Sequence, residues 1–283
     1  MLQSGDDISP VWDKIREDRG IDFSLYRDGT LRRRLSRRLA ARGCEDVPSY
    51  VALLERDAAE YDLLLRDLTI KYTEFYRDPF VFDIIGRDVI PCLAAENDGG
   101  ELAIWSAGCA TGEEAYSLAA MIRQMNASDQ CELAASILGT DIDPAAVDAA
   151  RCASYAKDIM PMPLSCEVAG YLRDEGKRMT ASPEIRELVR FAVHDLTSVS
   201  AGEDLAQVCP GPFDLILCRN VLMYLHRPAQ AKVLEMCCNA LRPGGFLVVG
   251  TGETIPRAME TELKCIEQKA KIYRKWANPH YSG

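Results

Sequence analysis

Short apolar runs alternate with amphipathic stretches through the last two thirds of the chain. Such runs are typical of buried strands, and the stretches between them carry apolar residues at helical spacing. The runs occupy 103–105, 134–139, 189–196, 213–218 and 246–250. Strands that alternate with helices predict an α/β fold with a doubly wound, mainly parallel sheet, whose ligand site lies at the carboxyl ends of the strands. After the fourth run, VLMYLHRPAQAKVLEMCCNAL predicts one amphipathic helix that LRPGG closes.

The first 70 residues have a different pattern, in which apolar residues recur at helical spacing between glycines. This pattern predicts small helices at 11–18, 31–41, 49–55 and 60–68. A segment that crowds polar and aromatic groups together, DLTIKYTEFYRDPFVFDII, follows them. We therefore expect a helical domain at 1–70, an inter-domain link at 71–90 that walls a pocket, and an α/β domain at 91–283.

The segment LAIWSAGCATGEEAYSLAA, at 102–120, contains the most informative motif. Gly108 and Gly112 bound a turn in which the backbone can approach a ligand, and Glu113 and Glu114 begin a helix. A dinucleotide fingerprint would read GxGxxG and would place a pyrophosphate at that helix end. Two carboxylates would repel a pyrophosphate, but they suit a ligand with hydroxyls, an amino group or positive charge, such as S-adenosylmethionine (SAM). The alternative to a cofactor site is an ordinary strand, turn and helix, in which the glycines serve only for packing.

The second apolar run ends in TDIDP, at 140–144. An acidic residue at the end of the second strand of an α/β fold is placed to accept hydrogen bonds from two ribose hydroxyls, so Asp141 is a candidate cofactor ligand. Asp143 precedes Pro144, and this pair is typical of a helix N-cap followed by a proline in the first turn.

One basic segment interrupts an acidic chain of net charge −10. Residues 27–42 contain seven arginines and one aspartate, and a helix there has a leucine stripe with a basic face of Arg32, Arg33, Arg34, Arg37 and Arg38. This face is either solvated and paired with nearby acids or a docking platform for an acidic partner. The net charge and the lack of aromatic residues among the arginines argue against nucleic acid as the partner.

Composition sets the remaining limits. The 283 residues contain eleven scattered cysteines and three histidines, and no CxxC pair occurs, so we expect reduced thiols and no metal site. No apolar span reaches membrane length, and MLQSGDDISP lacks a signal-peptide core, which predicts a cytoplasmic protein without membrane insertion. We also expect a monomer.

Several motifs together resemble the chemotaxis receptor methyltransferase (CheR) family from about Ile8 to Trp276. They are RRRLSRRL, TxxxTEFYRD, WSAGCATGEEAYS, TDID, FDLILCRNVLMYL and LRPGGFLVVGTGE. The resemblance implies a SAM-dependent protein-glutamate O-methyltransferase that forms glutamyl methyl esters on chemoreceptors and releases S-adenosylhomocysteine (SAH). It also implies a Rossmann-like methyltransferase sheet, a small all-helical N-terminal domain, and a small antiparallel β insertion at 157–192. The expected partners are glutamate-rich cytoplasmic helices of chemoreceptors, docked on the basic helix.

The resemblance also implies the roles of individual residues. Arg77 and Tyr224 are expected beside the transferring methyl group. The expected cofactor-binding residues are Thr73, Arg77, Ala107, Gly108, Glu114, Asp141, Ile142, Asp195, Leu196, Cys218 and Arg219. The chain departs from the family where Lys71 replaces an asparagine and Tyr76 a phenylalanine.

Three alternatives stay open from the sequence. A methyltransferase for another protein or a small molecule would keep the cofactor motifs but would not need the basic helix. A nucleic-acid methyltransferase would need stacking aromatics, and no NPPY-type motif is obvious. A SAM-binding regulatory module without catalysis is the third; Lys71 favours it, whereas the presence of Arg77 and Tyr224 argues against it.

Overall fold

The computed structural model describes residues 6–69, 72–97, 99–129, 133–160, 166–198, 201–209 and 211–276. Its first four helices form the N-terminal helical domain: α1 (Ser9–Arg19), α2 (Asp28–Ala41), α3 (Val47–Leu54) and α4 (Ala58–Leu68). The leucine stripe of α2, Leu31, Leu35 and Leu39, is buried in that domain's core. The four small helices predicted from apolar spacing are therefore confirmed, each within three residues at its start.

A nearly continuous helical segment leads into the second domain. It consists of α5 (Pro79–Ile84), a π-helical turn (Ile85–Val89) and α6 (Ile90–Glu96). Val81, Phe82 and Ile85 are fully buried against the sheet that follows. The link before it, around Arg77, is thus anchored to the sheet by this apolar face.

The main sheet has seven strands. They are β1 (Leu102–Ala107), β2 (Ala135–Asp141), β6 (Val189–Val193), β7 (Phe213–Cys218), β8 (Leu241–Val249), β9 (Leu263–Glu267) and β10 (Ile272–Lys275), in the spatial order β6-β2-β1-β7-β8-β10-β9. The first five are parallel, and β10 runs antiparallel between β8 and β9. The predicted fold class is confirmed. Because the strand order reverses between β1 and β7, a crevice is expected at their carboxyl ends.

Helices cover both faces of this sheet. They are α7 (Glu113–Asp129), α8 (Pro144–Cys152), α11 (Ala201–Val208) and α12 (Arg227–Ala240), with short helices α9 (Cys166–Ala169) and α10 (Pro183–Arg186) beside them. Two apolar clusters, one on each side of the sheet, form the core of this domain. In the described part of the chain, no helix is both long and apolar enough to span a membrane.

A second, antiparallel sheet lies between α8 and β6. Its strands are β3 (Ser154–Ala156), β4 (Leu172–Asp174) and β5 (Arg178–Ala181), in the order β3-β5-β4. The expected small antiparallel insertion is present, but its bounds differ from the expected 157–192. Its first strand, β3, lies before residue 157, and residues 189–192 belong to β6 of the main sheet.

Two expected details were wrong. The helix predicted from residue 221 starts only at Arg227, because Pro228 occupies its first turn and the preceding residues form a separate 3-10 turn, Leu222–Tyr224. The fifth strand starts at Leu241, not at residue 246, since Leu241 already pairs with Phe213. Gly245 allows this close pairing, because a Cβ there would lie 2.9 Å from the carbonyl oxygen of Asp214.

Candidate active site

A cavity of about 330 Å³ lies between the helical domain and the carboxyl edge of the main sheet. Most of the residues expected to bind cofactor or substrate line it, namely Thr73, Arg77, Gly108, Glu114, Asp141, Ile142, Leu196, Arg219 and Tyr224. These residues come from the link, from α7 and from the loops that follow β1, β2, β6 and β7. The crevice where the strand order reverses thus brings together residues that are separated in sequence by up to about half the chain.

The GCATG turn after β1 is held by backbone hydrogen bonds. The N–H groups of Gly108 and Cys109 both donate to the Thr140 carbonyl oxygen at 2.8 Å. Gly108 has φ +75°, and a Cβ on it would lie 2.4 Å from a Val221 methyl group. Only glycine therefore fits this position, both for its backbone angle and for the space beside it.

The carboxylate of Asp141 organises the same turn. It accepts hydrogen bonds from the backbone N–H of Ala110 at 2.9 Å and of Asp143 at 3.0 Å. Asp143 caps α8 by accepting from the Ala145 N–H, which confirms the N-cap predicted for it. The side chain of Asp141 lines the cavity and is held there by its own neighbours before any ligand binds.

Glu114 and Arg219 form a partly buried ion pair at the floor of the cavity. One Glu114 carboxylate oxygen accepts from the Ser106 hydroxyl at 2.7 Å, and the other lies 3.1 Å from Arg219. The Arg219 guanidinium also contacts Asp78 at 2.7 Å and donates to the carbonyl oxygen of Arg77 at 2.8 Å. Arg219 thereby ties the helix start, the link and the end of β7 to one another.

The link holds Arg77 in a constrained turn. Its neighbours Tyr76 and Asp78 have φ of +54° and +58°, a left-handed conformation that costs free energy for residues with a side chain. The Tyr76 N–H donates to the Ser117 hydroxyl at 3.0 Å. The Arg77 guanidinium lies over the Tyr72 ring, 5.0 Å from its centroid, and donates to the Tyr72 carbonyl oxygen. Asp78, the next residue in the chain, pairs with Arg219.

Tyr224 lies in the 3-10 turn between β7 and α12, and a buried glutamate fixes this turn. Both carboxylate oxygens of Glu253 accept backbone N–H groups, at 3.0 Å from Asn220 and Met223 and at 2.7 Å from Gly250. Burial raises the pKa of Glu253, although these hydrogen bonds favour the ionised form. Glu253 was not singled out in the sequence, where the only signal is its place in the GTGE that follows β8.

Three expected cofactor residues have side chains outside the cavity lining. Ala107 and Cys218 are buried at the ends of β1 and β7. The Asp195 carboxylate follows β6 and accepts from the Thr197 N–H at 2.8 Å and from its hydroxyl at 2.7 Å. Burial raises the pKa of Asp195, although the hydrogen bonds from Thr197 act to lower it. Lys71, which replaces an asparagine of the family pattern, lies outside the described residues.

Part of the basic face of α2 is engaged within the helical domain. Arg38 forms a two-pronged ion pair with the buried Glu60, at 2.6 and 2.7 Å. Arg34 donates to the carbonyl oxygens of Asp67 and Thr69, both at 2.8 Å. For these two arginines the structure shows internal contacts, which fix α2 against α4.

The outer part of the basic face reaches solvent. Arg33 and Arg37 are exposed, and Arg32, which donates to the carbonyl oxygen of Asp6, is half-buried. Thr30 lines the cavity, and it shares a helix face with Arg33 and Arg37 because residues at i, i+3 and i+7 align. Arg33 and Arg37 therefore form an exposed basic surface on the helix face that contains the cavity-lining Thr30.

Comparison with known families assigns both domains. The SAM binding domain of the CheR methyltransferase matches residues 71–272, and the all-alpha domain of the CheR methyltransferase matches residues 6–69. The chain belongs to the CheR methyltransferase family. It is therefore a SAM-dependent methyltransferase, and the family resemblance drawn from the motifs is confirmed.

Relatives of this CheR family member include proteins of similar length. A chemotaxis protein methyltransferase of Listeria innocua is 30% identical over 241 residues, which cover 85% of this chain and 87% of that protein. One from Salmonella typhimurium is 30% identical over 83% of this chain and 78% of its own length. An uncharacterised 104.1 kDa protein of Rhodobacter capsulatus is 33% identical over 90% of this chain, which spans only 26% of that longer protein.

Proposed function

We propose that this CheR-family enzyme transfers the methyl group of SAM to glutamate side-chain carboxylates of chemoreceptors, forming glutamyl methyl esters and releasing SAH. One observation carries the proposal. A single cavity is lined by the SAM motif residues, by Arg77 and Tyr224, and by Thr30, which shares a helix face with the exposed arginines of α2. The relatives named chemotaxis protein methyltransferases support this choice of substrate. In this proposal the enzyme is a cytoplasmic monomer.

The residues around the cavity fit SAM. Asp141 offers a carboxylate to the ribose hydroxyls, and Ile142 and Leu196 offer apolar contacts to the adenine ring. Glu114 offers a carboxylate oxygen to the ammonium group of the methionine end. Gly108 has no side chain that could separate its backbone from the ligand, and only glycine fits here because a Cβ would meet Val221.

The proposed chemistry requires alignment more than acid–base catalysis. Bound SAM supplies a methyl group activated by its positively charged sulfur. A glutamate side chain has a pKa of about 4.3 and is already ionised at neutral pH, so its carboxylate can attack without a general base. The guanidinium of Arg77 would orient that carboxylate, and the Tyr224 hydroxyl would donate a hydrogen bond to one of its oxygens. Fixing the two reactants in line can lower the barrier by up to about 7–11 kcal/mol.

Charge complementarity accounts for the choice of partner. A helix rich in glutamate presents carboxylates that Arg33 and Arg37 can bind. We expect the double charge reversal Arg33→Glu with Arg37→Glu to raise the KM for a receptor fragment about tenfold and to leave kcat and SAM affinity nearly unchanged. Steady-state kinetics at several salt concentrations, with calorimetry for SAM, measure all three quantities.

The matched control reverses Arg56 and Arg66 to glutamate. Both are exposed arginines of the same domain, so this control makes the same change in net charge outside α2. It should leave the KM near its wild-type value. If both double variants raise the KM equally, or if added salt does not raise the wild-type KM, docking on α2 is contradicted.

Two measurements test the proposed function together. The full chain should bind SAM and SAH in calorimetry, and it should transfer radiolabelled methyl groups from SAM to a receptor cytoplasmic fragment. Asp141→Asn should weaken both, whereas Asp148→Asn, at an exposed aspartate of α8, should weaken neither. Tight SAM binding without labelled receptor fragments would favour a different acceptor or a regulatory module.

A further inference from the structure

The helical domain reaches into the cofactor cavity with a short extended segment, residues 26–27, immediately before α2. Tyr26 forms an isolated antiparallel bridge with Leu225. The Arg27 N–H donates to the Tyr224 carbonyl oxygen at 2.8 Å, and the His226 N–H donates to the Leu25 carbonyl oxygen at 2.9 Å. Backbone hydrogen bonds therefore fix this segment to the loop that carries Tyr224.

The side chain of Tyr26 lines the same cavity. Its ring packs against Phe23, with centroids 5.2 Å apart, and its hydroxyl shares a hydrogen bond with the Thr197 side chain. The Thr197 hydroxyl in turn donates to the Asp195 carboxylate at 2.7 Å. A hydrogen-bonded chain thus runs from the helical domain to the loop after β6, where the adenosine part of SAM is expected.

The surroundings of Tyr26 keep its hydroxyl protonated at neutral pH. Burial raises the pKa of Tyr26 far above its ordinary value, and the carboxylates of Asp195 and Asp141 raise it further. The hydroxyl is consequently a neutral hydrogen-bonding group near two residues expected to contact the cofactor, Asp195 and Asp141. Its ring, together with Leu196, forms an apolar wall of the cavity.

We propose that Tyr26 is a SAM-binding residue contributed by the helical domain, with its ring against the adenosine part and its hydroxyl orienting Asp195 through Thr197. This inference rests on the proposed SAM site and adds a residue from outside the SAM binding domain. It implies that the helical domain forms part of the cofactor site as well as the docking surface.

A purely structural role for Tyr26 makes different predictions from a ligand contact. A structural residue would lower the melting temperature of the ligand-free protein when replaced, and it would leave the affinity of the remaining folded protein unchanged. A ligand contact would lower the affinity even in a variant that melts normally. Tyr26→Phe keeps the ring against Phe23 and removes only the hydroxyl, so it separates the two roles.

The experiment titrates SAH into the full chain by calorimetry and records thermal melting with and without SAH. We expect Tyr26→Phe to weaken SAH binding about threefold, through the lost hydrogen bond, with only a small decrease in the melting temperature of the free protein. Tyr26→Ala should weaken binding at least about tenfold through the lost aromatic wall. The control, Tyr273→Phe, removes the hydroxyl of a buried tyrosine on β10 and should bind SAH like the wild type.

The outcomes distinguish this inference from the proposed function. If Tyr26→Phe and any folded Tyr26→Ala bind SAH like the wild type while Asp141→Asn binds weakly, the role of Tyr26 is refuted and the cofactor site stands. If Tyr26→Ala does not fold, the affinity of Tyr26→Phe decides. A wild-type chain that fails to bind SAH would overturn the SAM site itself.

Discussion

Replacing Arg77 by alanine is expected to reduce kcat for methyl transfer about 100-fold and to weaken SAM binding less than about threefold, because the guanidinium aligns the acceptor carboxylate. The structure gives Arg77 a fixed place on the cavity wall. Its guanidinium is held over the Tyr72 ring, and its carbonyl oxygen accepts from Arg219. Single-turnover kinetics for kcat and calorimetry for SAM separate the two effects.

Two further variants sharpen this prediction. Arg77→Lys should recover little of the lost kcat, since an ammonium group cannot make the paired hydrogen bonds that a guanidinium makes with a carboxylate. Arg87→Ala is the control, because Arg87 is an exposed arginine on the helical segment that follows the link and pairs with its neighbour Asp88. Equal losses of kcat and SAM affinity in Arg77→Ala would make Arg77 mainly a cofactor ligand.

Replacing Gly108 by alanine is expected to damage both the fold and the cofactor site. The left-handed backbone at φ +75° costs a residue with a Cβ about 1–2 kcal/mol. The new methyl group would meet Val221 at 2.4 Å, and such overpacking costs about 1–3 kcal/mol more. Urea unfolding should show the summed loss, and SAM binding should weaken by ~2 kcal/mol, or about 30-fold, because the turn must shift.

A double variant and a control separate the causes at Gly108. Gly108→Ala with Val221→Ala removes the clash and keeps the backbone strain, so it should recover part of the lost stability. Gly252→Ala is the control, since Gly252 has no positive φ and no atom within 4 Å of its Cβ position. SAM affinity that stays normal in Gly108→Ala would show that this turn does not approach the cofactor.

Much of the fold could be predicted from sequence because it depends on local patterns. The leucines of α2, the glycines of the GCATG turn and the Asp143 cap each act within a few residues of their own position. The candidate site was predictable where the end of a predicted strand carries a residue of the expected chemical type, as at Asp141, an acidic residue that ends β2. Glu114 was found because it begins the helix after the glycine-bounded turn of β1, whereas Arg77 precedes the first strand and was found only from the family motif.

The remaining features depend on contacts between distant residues. Glu253 holds the loop around Tyr224 from beyond the next strand, and Tyr26 reaches the cavity from the other domain. The basic face of α2 looked uniform in sequence, yet Arg38 is committed to the buried Glu60. Such partners become visible only when the chain is folded, since no periodicity or local spacing relates them.

The most direct test of the proposed reaction is the chemical nature of the product bond. After incubation of the enzyme with tritiated SAM and a receptor cytoplasmic fragment, the labelled fragment is treated with alkali and the volatile methanol is counted. A glutamyl methyl ester would release the label as methanol, so nearly all of the label should be released. Label that stays on the fragment after alkali would contradict the assignment, because methyl groups on nitrogen or an ether oxygen resist such hydrolysis.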